Sequence, residues 1–240
     1  MGAPRVRRSL AWLLVPVCVL SAQDASAILK QVDRCRYPWP SFSMDVTLKD
    51  GKAKQRWRVL VRENDDARVD GLSEKEKRRT VLLLGDQMWL LLPGSKLPIK
   101  ISPQQRLLGP AAGGDIARFR FFADYTAANQ EEEELDGKPC KRLDLQAKRP
   151  ATSYRTATLW TTREGTPLRC DFYFASGKLA RTAQFGPLVE EGGVQVLSSL
   201  RLAEPSGRSV DLEFSRWKPV VIESRLFELP KPPVKEALGP

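Results

Sequence analysis

The most informative stretch of this chain is LLLGDQMWLLLPGSKLPIKIS, at residues 82–102. Two short apolar runs flank a Gly-Asp turn, and residues 98–102 then alternate apolar and polar side chains. Apolar runs of this length, bounded by turn residues, predict strands buried on both faces rather than a helix. An antiparallel strand with one face in water would alternate, and residues 88–92 do not. We therefore expect apolar material, either protein or a ligand, to cover both faces of this hairpin.

A second hairpin is predicted earlier in the chain, where alternation is strict. Residues 41–49 and 55–62 flank the turn residues Asp50 and Gly51. Each strand has one strongly apolar face, which carries Phe42, Met44, Val46 and Leu48 in the first strand and Trp57, Val59 and Val61 in the second. Alternate residues of a strand point to the same side, so this hairpin contributes one face to a core.

The rest of the chain predicts more strands and only two helical pieces. Gly-containing turns separate short strands in the second half at intervals of roughly ten residues, which indicates a large antiparallel sheet, either sandwich or barrel. Two helices are too few to form a layer, but they could lid an incompletely closed barrel. We predict a mainly β fold, a half-open antiparallel barrel of about 10–11 strands with short lid helices.

The two helical pieces are defined by their apolar spacing. In residues 27–34 one face carries Ile28, Leu29 and Val32. In the second piece the apolar residues are spaced three apart: Ile116, Phe119 and Phe122.

The N-terminus predicts an exported protein. A basic region containing Arg5, Arg7 and Arg8 precedes an apolar stretch over residues 10–20, and Ala25-Ser26-Ala27 supplies a small-x-small cleavage pattern, with Ser21-Ala22 as a second possibility. The apolar stretch is short for a membrane span, although a retained anchor stays an alternative. We expect a signal peptide at 1–27, one domain at 28–229 and a Pro-rich flexible tail at 230–240.

Charge and composition restrict the function. The net charge is +10, and removal of residues 1–27 would lower it to about +8, which favours anionic partners, with nucleic acid the least expected after export. The chain has no histidine, so Ser-His and Cys-His catalysis and the commonest metal ligand are excluded. Catalysis by a pair of carboxylates is not excluded by composition, but the acidic residues lie mostly in runs typical of a solvated surface, such as residues 131–134. We expect no enzymatic activity, metal or cofactor.

The cysteines permit a structural prediction. Cys35, Cys140 and Cys170 follow the expected cleavage point, and their odd number leaves one thiol over. In the predicted meander one strand separates the strands of Cys140 and Cys170. Two strand spacings are about 9.6 Å, beyond the Cα separation of a disulfide. We predict that these two cysteines are not bonded to each other.

Several separated segments together carry a family resemblance. These are SFSMDVTL at 41–48 after a short helix, QMWLLLP at 87–93 with IKIS at 99–102, GGD at 113–115, SGKLART at 176–182, and residues 222–229 with Phe227. In this order and spacing the chain resembles the LolA-like outer-membrane lipoprotein-sorting proteins, in the branch found beside large membrane exporters. It departs from the family in the loop before Asp115, and no arginine of the family's carriers aligns here.

The resemblance implies a fold and a function. The fold is a half-open β-barrel lidded by helices. The implied activity is a periplasmic carrier or chaperone that binds the acyl chains of lipoproteins or lipids in an apolar cavity and moves them toward the outer membrane. Lipid, lipoprotein and an inner-membrane exporter are the expected partners of a monomer that touches membranes only peripherally. The alternative is a periplasmic sensor or adaptor that uses the same fold to bind a protein.

Large flexible and aromatic side chains suit such a cavity, because they repack around varied acyl chains. The predicted lipid-binding residues on the sheet are Phe42, Met44, Val46, Trp57, Val59, Val61, Trp89 and Leu91, and those on the lid are Ile116, Phe119 and Phe122. Any one of them can instead be ordinary core. Which of Trp89 and Leu90 faces inward stays open at this stage. Four basic residues could contact lipid headgroups, but a solvated surface position is the favoured interpretation: Arg58, Arg62, Lys100 and Arg106.

Overall fold

The computed structural model describes residues 18–63, 65–74, 76–77, 79–95, 97–101, 120–150, 152 and 154–230, with side chains from residue 24 onward. Helix α1 spans Cys18–Arg34, helix α2 spans Phe121–Asp124, and a 3₁₀ helix spans Ser224–Phe227. The predicted domain start at residue 28 therefore lies inside α1. Within these ranges, no helix combines the length and the apolar character that a bilayer crossing needs.

The described residues also form fifteen strands. Their bounds are β1 (Phe42–Asp50), β2 (Ala53–Arg62), β3 (Asp66–Gly71), β4 (Thr80–Leu84), β5 (Gln87–Leu91), β6 (Ile99–Ile101), β7 (Tyr125–Leu135), β8 (Lys138–Ala147), β9 (Thr156–Thr161), β10 (Pro167–Tyr173), β11 (Leu179–Phe185), β12 (Leu188–Glu191), β13 (Val194–Leu197), β14 (Ser199–Ala203) and β15 (Ser209–Pro219).

Thirteen of these strands form one antiparallel sheet in the order β6-β5-β4-β3-β2-β1-β15-β14-β11-β10-β9-β8-β7, and β12 and β13 form a separate hairpin. Strand β1 pairs with β2 on one side and β15 on the other, so the first and last strands along the chain are neighbours in the sheet. The outer strands β6 and β7 do not pair with each other, so the barrel is not closed. The predicted half-open antiparallel fold is confirmed, with thirteen strands in the sheet.

One continuous apolar core lies on a single face of this sheet. Leu83 of β4, Leu145 of β8 and Leu29 of α1 all belong to it. Strands so far apart in the sheet order can share one core only if the sheet curls around the helix. We call the face that packs on α1 the concave face and the opposite one the convex face.

The apolar run over residues 194–203 forms two strands rather than one, because the structure breaks it at Ser198. The amide of Ser198 donates to the carbonyl of Pro187 (3.0 Å), and that of Leu197 donates to the carbonyl of Cys35 (2.8 Å). The first half, β13, therefore joins β12 as a hairpin near the end of α1, and β14 continues in the main sheet. The apolar pattern runs through the break and gives no sign of it.

The strand order around the cysteines is as predicted. Strand β9 lies between β8, which carries Cys140, and β10, which carries Cys170. Cys35, Cys140 and Cys170 are buried free thiols.

The convex face of the opening hairpin is covered by protein. Leu82 is fully buried but does not belong to the main core, and its strand neighbour on β3 is Arg68. Arg68 donates from Nη1 to the carbonyl of Leu226 (2.7 Å), and the Arg62 guanidinium lies 4.5 Å from the ring centroid of the buried Phe227. The 3₁₀ helix thus packs on the outside of β2 and β3 and supplies an outer apolar layer.

Candidate functional site

The hairpin β1–β2 presents its predicted apolar face to the concave side. Cross-strand pairs join Phe42 to Val61, Met44 to Val59 and Val46 to Trp57. Five of these six side chains are buried in the main core, and Trp57 is partly buried against it. The structure therefore places all six together, as the alternation predicts. Their contact with lipid stays a prediction.

Trp57 adds a polar atom to this apolar surface. Its indole nitrogen Nε1 is buried and has no hydrogen-bond partner among the residues that the structure describes. A buried N–H group without a partner is costly, so a ligand oxygen near Trp57 would be stabilised by it.

The concave placement predicted for Trp89 and Leu91 is wrong. Met88 pairs with Leu83, and both belong to the main core. Because strand residues alternate between faces, Met88 and Leu90 face the concave side, whereas Trp89 and Leu91 face outward. Outside, the Lys100 ammonium lies 5.3 Å from the Trp89 ring centroid. Every residue from Met88 to Leu92 is apolar, so the sequence of β5 does not indicate which alternate residues face the core.

Helix α1 covers the concave face. Its apolar side chains Ala25, Ile28, Leu29 and Val32 are buried in the main core, which confirms the face predicted for this helix. Near the N-terminal end of its buried face, the Asp24 carboxylate accepts hydrogen bonds from Gln130 Nε2 (2.9 Å) and Lys141 Nζ (2.7 Å) on β7 and β8. The Lys141 hydrogen bond is the main cause of the lowered pKa of Asp24.

Helix α2 covers a second part of the concave face, with a different aromatic residue from the one predicted. Phe121 is buried, and its ring centroid lies 6.2 Å from that of Phe172 and 6.4 Å from that of Phe185. Phe122, the predicted lid residue, is 36% exposed and points away from the core. The spacing of three thus selected the wrong one of two adjacent phenylalanines. The other two predicted lid residues, Ile116 and Phe119, lie outside the described residues.

Asp33 joins the two covering helices and was not predicted. Its carboxylate, at the end of α1, accepts hydrogen bonds from the backbone amides of Phe121 (2.7 Å) and Phe122 (2.9 Å). Burial raises the pKa of Asp33 to about 7, because desolvation of the charged form outweighs these two hydrogen bonds. Sequence patterns miss such a residue, because a polar side chain at a helix end usually faces water.

Ion pairs connect α2 and its neighbours to turns on the far half of the sheet. Arg149, after β8, binds Asp124 of α2 (2.7 Å) and Asp86 in the β4–β5 turn (2.9 Å). Arg120 lies 3.4 Å from Asp65, between β2 and β3. We call the Arg149–Asp86 and Arg120–Asp65 pairs the seam, because they link the α2 and β8 side of the barrel to turns on the other unpaired side.

The chemistry of this site is that of an apolar container. Among the described residues, no group of three cysteine or carboxylate side chains is arranged to hold a metal ion. Burial raises the pKa of Cys35 to about 11 and that of Cys170 well above its ordinary value, so both are protonated thiols at neutral pH. What the arrangement offers a ligand is the apolar surface that helices α1 and α2 cover.

Comparisons with known proteins agree with this architecture. A family model described as "-like: Uncharacterized protein" matches residues 69–230. No curated protein matches the chain. A LolA superfamily protein from Nitrosomonas europaea is 26% identical, with a TM-score of 0.76 over 85% of this chain and 97% of that one.

Two further solved structures share the fold. A DUF1329 family protein from Desulfovibrio piger is 20% identical, with a TM-score of 0.71 over 88% of this chain and 97% of that one. An outer membrane lipoprotein-sorting protein domain from Vibrio parahaemolyticus is 18% identical, with a TM-score of 0.68 over 86% and 97%. The chain therefore belongs to the family whose model matches residues 69–230, and its open, helix-covered antiparallel sheet is LolA-like.

Proposed function

We propose that this protein is a periplasmic carrier that holds the acyl chains of lipoproteins or lipids against its concave face and moves them toward the outer membrane. One observation supports this above all. The apolar concave face is covered by helices α1 and α2 rather than by a second sheet, and β6 and β7 are not paired with each other. The cover can therefore separate from the sheet without breaking a strand–strand hydrogen bond.

The energetics are compatible with a carrier that must also release its load. Burial is worth about 0.8 kcal/mol per methylene, so a chain of about fifteen methylenes gains on the order of 12 kcal/mol. Loading displaces the α1 side chains Ile28, Leu29 and Val32, each of which contributes about 1.5–3 kcal/mol when buried. The difference is a gain of a few kcal/mol, which permits both loading and release.

The proposed lipid-binding surface follows the observed faces of the strands. It keeps Phe42, Met44, Val46, Trp57, Val59 and Val61, and it takes Met88 and Leu90 in place of Trp89 and Leu91, with Phe121 on the lid. The unpartnered indole N–H of Trp57 would donate to an ester or carboxyl oxygen of the ligand.

We further propose that the protein acts without catalysis, as a monomer, with an inner-membrane exporter as a source of its cargo. The lack of histidine and the protonated state of the Cys35 and Cys170 thiols support a non-enzymatic role. The export signal predicted at the N-terminus, together with the LolA-like fold, supports placement in the periplasm.

Adjacent residues of β2 provide the test. Val59 faces the concave side, and Leu60 faces the convex side. We expect Val59→Phe, which fills the acyl-binding surface, to weaken uptake of a fluorescent long-chain fatty acid by about tenfold or more, and Leu60→Phe to leave it unchanged. Thermal unfolding followed by circular dichroism serves as the control that both variants are folded.

The proposal predicts in addition that native mass spectrometry of protein purified from membranes finds bound lipid. Equal uptake by the two folded variants would contradict the assigned surface. A protein that neither takes up fatty acid nor retains lipid would contradict the carrier function and favour an adaptor.

A further inference from the structure

Phe122 forms an exposed aromatic point surrounded by cations. Its ring is 36% exposed, and the ammonium groups of Lys30 and Lys148 lie 4.6 Å and 5.0 Å from its centroid. Arg34, one turn after Lys30 on α1, and Arg120, before α2, line a pocket of about 260 Å³ with Phe122 and Lys30. We call these five residues the Phe122 patch.

Most of the positive charge of the Phe122 patch is not neutralised. In the described part of the chain, no carboxylate lies within ion-pair distance of Lys30, Arg34 or Lys148, and Arg120 is 3.4 Å from Asp65. Asp33 lines the same pocket, but both of its oxygens accept backbone hydrogen bonds from α2. The patch therefore presents three uncompensated cations around one apolar ring.

We propose that the Phe122 patch docks the protein on the surface of an anionic phospholipid bilayer. An aromatic ring enters the boundary between headgroups and acyl chains, while the long side chains of lysine and arginine reach the phosphates around it. An acidic protein would also attract the cations. However, the patch offers a single apolar ring in a shallow setting rather than the cluster of buried anchors typical of protein interfaces.

The position of the patch gives the docking a consequence. Lys30 and Arg34 belong to α1 and Phe122 belongs to α2, so the two helices that cover the concave face would be the elements nearest the membrane. Docking does not depend on whether the protein carries lipid, and it is measured separately from lipid uptake.

Binding to lipid vesicles tests the proposal, and the protein used is the exported form purified after processing in the cell. Vesicles that contain about one-quarter anionic phosphatidylglycerol are compared with pure phosphatidylcholine vesicles by co-sedimentation. We expect binding only to the anionic vesicles, and release when the salt concentration rises from about 0.05 M to about 0.5 M, because the Debye length shortens.

Matched variants separate the patch from general charge. Lys30→Glu with Arg34→Glu should weaken binding by about tenfold or more, because each basic residue near the surface contributes about fivefold. Lys52→Glu with Lys54→Glu changes the net charge equally at exposed lysines of the β1–β2 hairpin and should alter binding less than about twofold.

The ring is tested in the same way. Phe122→Ser should weaken binding several-fold, whereas Val189→Ser, at an equally exposed apolar side chain of β12 (37%), should not. Melting curves verify that each variant is folded.

Three results would overturn the proposal. These are equal binding to neutral and anionic vesicles, equal losses in the Lys30/Arg34 and Lys52/Lys54 double variants, and binding to an acidic polypeptide without binding to anionic vesicles. The last result would assign the patch to an acidic protein partner instead.

Discussion

Asp33 is the buried carboxylate that ties the end of α1 to α2, and its titration should be visible in the stability of the protein. The pKa of about 7 in the folded state lies above the ordinary value of 3.8. Between these pH values the folded chain keeps a proton on Asp33 that the unfolded chain has released. The stability due to Asp33 therefore falls as the pH rises from about 4 to about 7 and is constant above that range.

Asp33→Asn removes this titration. We expect its free energy of unfolding in urea to fall less with rising pH than that of the wild type, by up to about 4 kcal/mol over the window. Below about pH 4, where both side chains are neutral, the variant should be less stable than the wild type by about 1–3 kcal/mol, because the amide nitrogen cannot accept a hydrogen bond from the α2 backbone. Parallel pH curves for the two proteins would contradict the assignment.

Asp24 supplies a control of opposite sign. Lys141 lowers its pKa, so its contribution is present above the ordinary pKa and is lost as the pH falls through the folded-state value. Compared with the wild type, Asp24→Asn should therefore lose less free energy of unfolding as the pH falls through the acidic range. Above the ordinary pKa of Asp24 the two proteins should have the same pH dependence.

The buried cysteines Cys35, Cys140 and Cys170 should be unreactive in the native protein. Cys35, Cys140 and Cys170 are buried thiols with raised pKa values, and a thiol reacts as its thiolate. We expect iodoacetamide at pH 8 to modify all three in urea and none in the folded state, as measured by peptide mass mapping without reductant. A peptide that links Cys140 to Cys170 would contradict both this result and the strand order.

At the scale of the element, α1 bears on where a signal peptide would be removed. The predicted cut after Ala27 would remove the buried Ala25 and the Asp24 carboxylate that binds Gln130 and Lys141. We predict that the processed chain begins at or before Asp24, as a cut near Ser21-Ala22 would allow. N-terminal sequencing of the exported protein measures this, and a chain that begins at Ile28 would contradict it.

At the scale of the whole molecule, the seam links the two unpaired sides of the barrel through exposed ion pairs. Such pairs contribute about 0.2–1 kcal/mol each and are screened by salt. We expect Arg149→Ala to accelerate amide hydrogen exchange in α2 at low salt. High salt should produce a smaller acceleration in the wild type, because it screens the exposed Arg149–Asp86 pair more than the pair with the buried Asp124.

Arg201→Ala serves as the control for the seam. Arg201 forms a similarly exposed pair with Asp211 on the neighbouring strand, at 3.6 Å, and this pair does not cross the seam. Exchange in α2 should be unchanged in this variant. Equal exchange of α2 in the wild type and in Arg149→Ala would show that the seam does not hold α2 down.

The core-facing side of the strands could be predicted from the sequence in one apolar hairpin but not in the other. In β1 and β2 polar residues alternate with apolar ones, so the concave face followed directly from the sequence. In β5 every residue from Met88 to Leu92 is apolar, so only its pairing with β4 revealed that Met88 and Leu90 face inward. The same ambiguity exchanged Phe121 and Phe122, because a four-residue helix has too few turns to define a face.

The pattern of apolar residues was enough to predict the fold class, the strand order around the cysteines, and the apolar faces of α1, β1 and β2, because periodic burial leaves a periodic pattern in the chain. What covers the opening hairpin, by contrast, is seen only in the folded protein: the concave core on one side and the 3₁₀ helix on the other. The tertiary structure also decided the roles of Asp33, Arg149 and the Phe122 patch. These depend on contacts between residues distant in the chain, and such contacts leave no local pattern to read.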